Sequence, residues 1–229
     1  MSRFSLASLV VCLALAAPAF AAHKIPEIVV TVDTSGGNPS AADLQTLHDV
    51  ADKAERTAKA WYGKIEELTG AKDHPEPQKV TISFNYTYQG IAATGGDHTD
   101  VNIPYTLGHP DDIPGVIVHE LTHVVQHYTK DSGWDTGWLT EGIADYVRWF
   151  NFEPESKRPH PRLSRHPKAT GSYQTTASFL FYVTNKYDKS LVKELNQSLY
   201  DAKYTPEIWK TKTGKSFSEL ETEWLTTLS

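Results

Sequence analysis

The chain has 229 residues, 39% of them hydrophobic and 11% aromatic, with a formal net charge of −6. That is enough apolar material for one domain of ordinary size, and the absence of charge runs or low-complexity tracts argues against disorder. No basic patch stands out from the acidic balance, which argues against a nucleic-acid partner.

Residues 1–21 read as a secretory signal peptide. Arg3 gives a positive start, Leu6 to Ala17 is an apolar run, and Ala19-Phe20-Ala21 is a small-x-small cleavage site. As a membrane anchor the run is too short, and Pro18 breaks it. No second stretch of spanning length follows. The expected mature protein, 22–229, is therefore soluble, free of the membrane, and secreted or periplasmic. Losing Arg3 takes its charge from −6 to −7. The only cysteine, Cys12, leaves with the signal. Leu9-Val10-Val11-Cys12 hints at a lipoprotein site, but Val11 is larger than such processing tolerates. An exported chain without thiols must be held together by its core or by a metal.

In chain order, Glu27 to Asp33 is a strand rich in β-branched residues. Gly36-Gly37-Asn38-Pro39 turns the chain. Ser40 and Asp43 resemble a capping box that opens a helix from Ala41 to Leu68, stopping near Gly70. Leu44, Leu47, Ala51, Ala54, Ala58, Trp61 and Ile65 keep helical spacing along it. Lys79 to Tyr88 alternates as a half-buried strand. Gly90 to Gly96 is a run of small residues with two readings. It is either an edge strand open to pairing with an extended peptide, or a turn bracketed by glycines. Asp100 to Tyr105 reads as another short strand. These strands and the scaffold helix make up 22–108, and two further helices, which carry the chemistry-bearing residues, make up 109–152. Glu153 to Lys168, with four prolines, is too broken for regular structure. From Ser172 onward the chain reads as helical, so 171–229 is a helical C-terminal part.

Gly115 to Tyr128, GVIVHELTHVVQHY, organises the rest. On a helix, Ile117, Leu121, Val124, Val125 and Tyr128 share one side. His119 and His123 stack one above the other on the opposite side with Glu120 beside them, which is how a helix offers two imidazoles to one metal ion. A polar face of His, Glu, Thr and Gln reads as the floor of a cleft. His-Glu-x-x-His alone is also compatible with an ordinary amphipathic helix. His127 shares the face but lies about 12 Å along the axis from His119, at about 1.5 Å per residue, too far for the same ion. Glu141 is the better third ligand. It follows His123 after a 17-residue gap, enough to end one helix, form a loop and return. In Trp138 to Phe152, read as a second helix, Asp145 lies one turn beyond Glu141. There it can orient a ligating imidazole through its second nitrogen.

HELTHVVQHY followed by WLTEGIADYVRW resembles the plant basic secretory protein family and its bacterial relatives, zinc metallopeptidases of the gluzincin type. Gln126 and the EGIADYVR run match that family's habit. The likeness extends over most of the mature chain, although only the two motifs are specific. The resemblance implies an α+β, zincin-like metallopeptidase domain with a small N-terminal sheet, an HExxH helix and a helical C-terminal part. It implies one Zn2+ per chain on His119, His123 and Glu141, with Glu120 as the catalytic base and Asp145 behind the ligands. The substrate would be a peptide or protein, hydrolysed by zinc-activated water. Tyr173 is read either as a donor to the oxyanion or as a capping or packing tyrosine. The acidic charge departs from the family's basic surface. A second reading is a secreted zinc-binding defence or interaction protein without turnover, although such a protein has no use for a general base at Glu120.

Overall fold

The computed structural model describes residues 25–71, 74–159, 167–171 and 173–228. The expected signal peptide, with Cys12, and the middle of the proline-rich stretch lie outside the described residues. The described chain is α+β, with four strands and eight α-helices.

The sheet runs in the order β1-β2-β4-β3, from β1 (Glu27–Val32), β2 (Lys79–Asn85), β3 (Ala92–Gly95) and β4 (His98–Asn102). β1, β2 and β4 are parallel, and β3 pairs antiparallel with β4 as an edge strand. Of the two readings of Gly90 to Gly96, the structure thus takes the edge strand, and a glycine serves its turn. Gly96, at φ +62°, takes the first place of the two-residue link to β4, where a backbone of this hand favours Gly.

On β2, Val80, Ile82 and Phe84 alternate inward and are fully buried. The strand ends at Asn85, short of the expected Tyr88, because the Asn85 side chain accepts hydrogen bonds from the N–H groups of Thr87 and Tyr88 and turns the chain. The expected strand Asp100 to Tyr105 also ends early. Asn102 caps a short helix, α2 (Ile103–Gly108), by accepting from the N–H of Tyr105 at 2.6 Å, with Pro104 in its first turn.

α1 (Ala41–Thr69) begins at the Ser40–Asp43 capping box and stops at Gly70, in the left-handed region at φ +75°. Leu47, Ala51, Ala54, Ala58 and Ile65 are buried as expected, whereas Leu44 is exposed. α3 (Ile113–Gln126) is buried along nearly its whole circumference, so it is a core element with one face left open to a cleft. It ends two residues before Tyr128, at His127 with φ +39°. Tyr128 therefore leaves the helix and donates its hydroxyl to Asn196 at 2.6 Å.

α4 (Gly137–Val147) runs into a π-helical turn, Arg148–Phe152, so the expected helix Trp138 to Phe152 changes hydrogen-bond pattern midway. α5 (Tyr173–Lys186), α6 (Leu191–Tyr200), α7 (Glu207–Thr213) and α8 (Phe217–Thr226) complete the chain.

Among the described residues the apolar interior has two clusters. The first joins the sheet, α1 and α3; the second joins α4 to the C-terminal helices, with Phe179, Trp209 and Trp224 fully or almost fully buried within it. Gly142 lets α4 approach α5 closely. A Cβ there would stand 2.1 Å from Cγ2 of Thr176.

Candidate metal centre and its cleft

α3 supplies two imidazoles one turn apart, and α4 packs against α3 so that Glu141 reaches the same point. Nε2 of His119 lies 3.1 Å from Nε2 of His123. Oε2 of Glu141 lies 3.2 Å from the first and 3.3 Å from the second. Ligands about 2.0–2.1 Å from a tetrahedral ion are about 3.3 Å apart, so the triangle has a size that could hold such a metal ion.

The hydrogen-bond partners of the rings support the same fit. His119 Nδ1 is 2.7 Å from the buried Asp145 carboxylate, and His123 Nδ1 is 2.7 Å from Oε1 of Gln126. Both Nδ1 atoms therefore donate, which turns both Nε2 atoms towards each other and a carboxylate oxygen, where they share a proton or bind a cation. Three electron-rich atoms so close need a positive charge among them.

The electrostatics point the same way. Burial disfavours the charged form of His119, but its bonds to Asp145 and Glu141 outweigh this and raise its pKa to about 9. Burial of Glu141 is likewise outweighed by His119 and His123, and its pKa falls to about 2. The pull that holds a proton here is available to a cation.

Glu120 is buried beside this group without joining it. Its Oε2 accepts a 2.8 Å hydrogen bond from the hydroxyl of Thr94 on β3. His127 is exposed at the helix cap and lies outside the cluster. Tyr173 stacks near His119, with ring centroids 6.1 Å apart, and its φ of +39° is unusual for a tyrosine. The Glu141 carboxylate, then burial and the Asp145 and Glu120 carboxylates, raise the pKa of its phenol. The hydroxyl is thus a protonated donor at neutral pH.

All these groups line one cleft of about 1030 Å³, walled by β3 on one side and by Trp149, Tyr173 and Gln174 on another. The roles of two residues that work in it escaped the sequence reading. Gln126 bonds His123 with its oxygen and donates its amide to the carbonyl of Thr140 at 3.0 Å, so one side chain ties a histidine to the helix of Glu141. Its position three residues after His123 was the available signal. Thr94 carried no local signal, since its partner lies on another element.

Fold and site define an α+β protein with a two-histidine, one-glutamate group, at the floor of an open cleft, that could hold a metal ion. The family model described as peptidase of plants and bacteria, BSP, matches residues 29–224, and the chain belongs to that family. This agrees with the resemblance carried by the two motifs. Comparisons with curated proteins and with solved structures return no significant match.

Proposed function

We propose that the protein is an exported, zinc-dependent peptidase with a zincin-like site, in which His119, His123 and Glu141 hold the ion. The observation that carries this reading is the triangle of two imidazole nitrogens and one carboxylate oxygen with sides of 3.1, 3.2 and 3.3 Å beside an independent carboxylate, Glu120. Two imidazoles and one carboxylate form a donor set suited to zinc. When bound, such an ion polarises the substrate carbonyl and lowers the pKa of water to about 7.

The chain's own groups supply the rest. Oε2 of Glu120 is engaged by Thr94, which leaves Oε1 to take a proton from the attacking water and return it to the leaving nitrogen. Asp145 and Gln126 fix the tautomer of the two histidines. The Tyr173 hydroxyl donates a hydrogen bond to the oxygen of the tetrahedral intermediate. The free edge of β3 pairs with the extended peptide and lays it along the cleft. Export rests on the N-terminal signal-like stretch. No helix of the described residues is long and apolar enough to cross a membrane.

Glu120→Gln tests the reading. Gln keeps the shape and can still accept from Thr94, but it cannot take a proton. The variant is expected to keep its zinc and to lose peptide hydrolysis by about 100-fold or more. A zinc-loaded wild type that cleaves nothing in a broad peptide library points instead to a binding protein. Undiminished cleavage in the variant places the activity elsewhere.

A further inference from the structure

Glu120 projects from a buried helix, yet what fixes the direction of its carboxylate comes from the sheet. Thr94 and Thr99 sit directly opposite each other in the β3–β4 pair, with their hydroxyl oxygens 2.8 Å apart. Thr94 Oγ1 is 2.8 Å from Oε2 of Glu120 and 3.2 Å from the Glu120 carbonyl oxygen. Each hydroxyl has one proton to give. The nearer, charged carboxylate takes that of Thr94, because bonds to ionised acceptors are the stronger ones. Thr99 is buried and, among the described residues, has Thr94 as its side-chain partner, so it donates to Thr94. The protons then run in one direction, from Thr99 to Thr94 to Glu120. Among the described residues, no other side chain donates to that carboxylate.

We infer that Thr94, backed by Thr99, is the positioning residue for Glu120, and that it ties the general base to the edge strand lining the cleft. Its catalytic consequence rests on the peptidase reading; the positioning itself rests on geometry alone. A long side chain with three rotatable bonds loses its direction without such a tether, and misplacement of a reacting group by about 1 Å can cost about 100-fold in rate. A peptide lying along β3 would contact the strand that holds the base, so substrate and base would share one support.

The test pairs Thr94→Val, which removes the hydroxyl at nearly constant shape, with Thr94→Ser, which keeps it. Both are made in the full chain. Crystal structures of each, metal-free and zinc-loaded, read the position of Glu120 directly. The carboxylate is expected to leave its place or spread over several conformers in Thr94→Val and to stay in Thr94→Ser. Zinc content should match wild type in both, because no ligand changes. In peptide cleavage, kcat should fall about 10- to 100-fold in Thr94→Val with KM within about threefold, and Thr94→Ser should recover most of the loss. A Glu120 carboxylate unmoved in Thr94→Val overturns the inference, as does wild-type kcat in that variant. If Glu120 moves as expected but zinc-loaded wild type cleaves no peptide, the positioning role stands and the functional reading fails.

Discussion

On the proposed reading, Asp145 offers a graded test of how the protein tunes its metal affinity. The residue is 4% exposed, and its carboxylate lies 2.7 Å from Nδ1 of His119. That bond strengthens when the other ring nitrogen gives its electron pair to a cation, so weakening it lowers affinity for the ion. Asn presents a neutral acceptor of the same size. A bond to a charged group is worth about 1.5–3 kcal/mol and a neutral one about 0.5–1.5 kcal/mol, so Asp145→Asn should cost about 1–1.5 kcal/mol. At about 1.4 kcal/mol per decade this is roughly a tenfold loss of affinity. Asp145→Ala removes the acceptor where water has little access, and the unpaired N–H adds about 1–3 kcal/mol. Its loss should approach about 100-fold or more. Competition for zinc against a chromophoric chelator measures both, with circular dichroism confirming the fold. Affinity in Asp145→Asn within about twofold of wild type, or no gradation between the variants, refutes the argument.

Glu141→Ala should lose most of the bound zinc while His127→Ala keeps it, as metal analysis of the purified variants would show; the reverse result means the third ligand is misassigned. Gly142→Ala should lower the melting temperature by a few degrees. The new Cβ, 2.1 Å from Thr176 Cγ2, must push α4 from α5 at about 1–3 kcal/mol, against a gain of about 1 kcal/mol in helix propensity. A raised melting temperature would show that the helices yield freely. Glu223 is held at a pKa of about 2 by Lys215, Tyr187 and Lys186. Its folded pKa lies below the unfolded value near 4.5, so its contribution is present above that value and fades as the pH falls towards 2. Glu223→Gln should therefore melt lower than wild type at pH 7, with the gap closing on acidification; a gap independent of pH contradicts this.

Local signals were legible in the sequence. Ser40 and Asp43 announce a helix start, Gly70 its end, and the spacing of His119, His123, Glu141 and Asp145 anticipates residues that the fold brings together. Signals that depend on competition were not. Asp100 to Tyr105 alternates like a strand, but the cap at Asn102 and the proline behind it favour a helix from Ile103. Tyr128 fits the periodicity of α3, but the left-handed His127 ends the helix first and gives Tyr128 to Asn196. The tether at Thr94 joins residues 26 apart in sequence on different elements, and no pattern in a single chain encodes that pairing.

The two apolar clusters meet where α3 lies against α4. His119 and His123 stand among α3 residues of the first cluster, and Glu141 stands between Leu139 and Ile143 of the second. On the proposed reading, a bound ion is therefore a rivet through the seam between two halves, in a chain whose single cysteine permits no internal disulfide. A copy that lost its ion would open first at that seam and expose the backbone on either side of it. On that reading, such a molecule would become a substrate for loaded copies. Occupancy of the site would then govern lifetime as well as turnover.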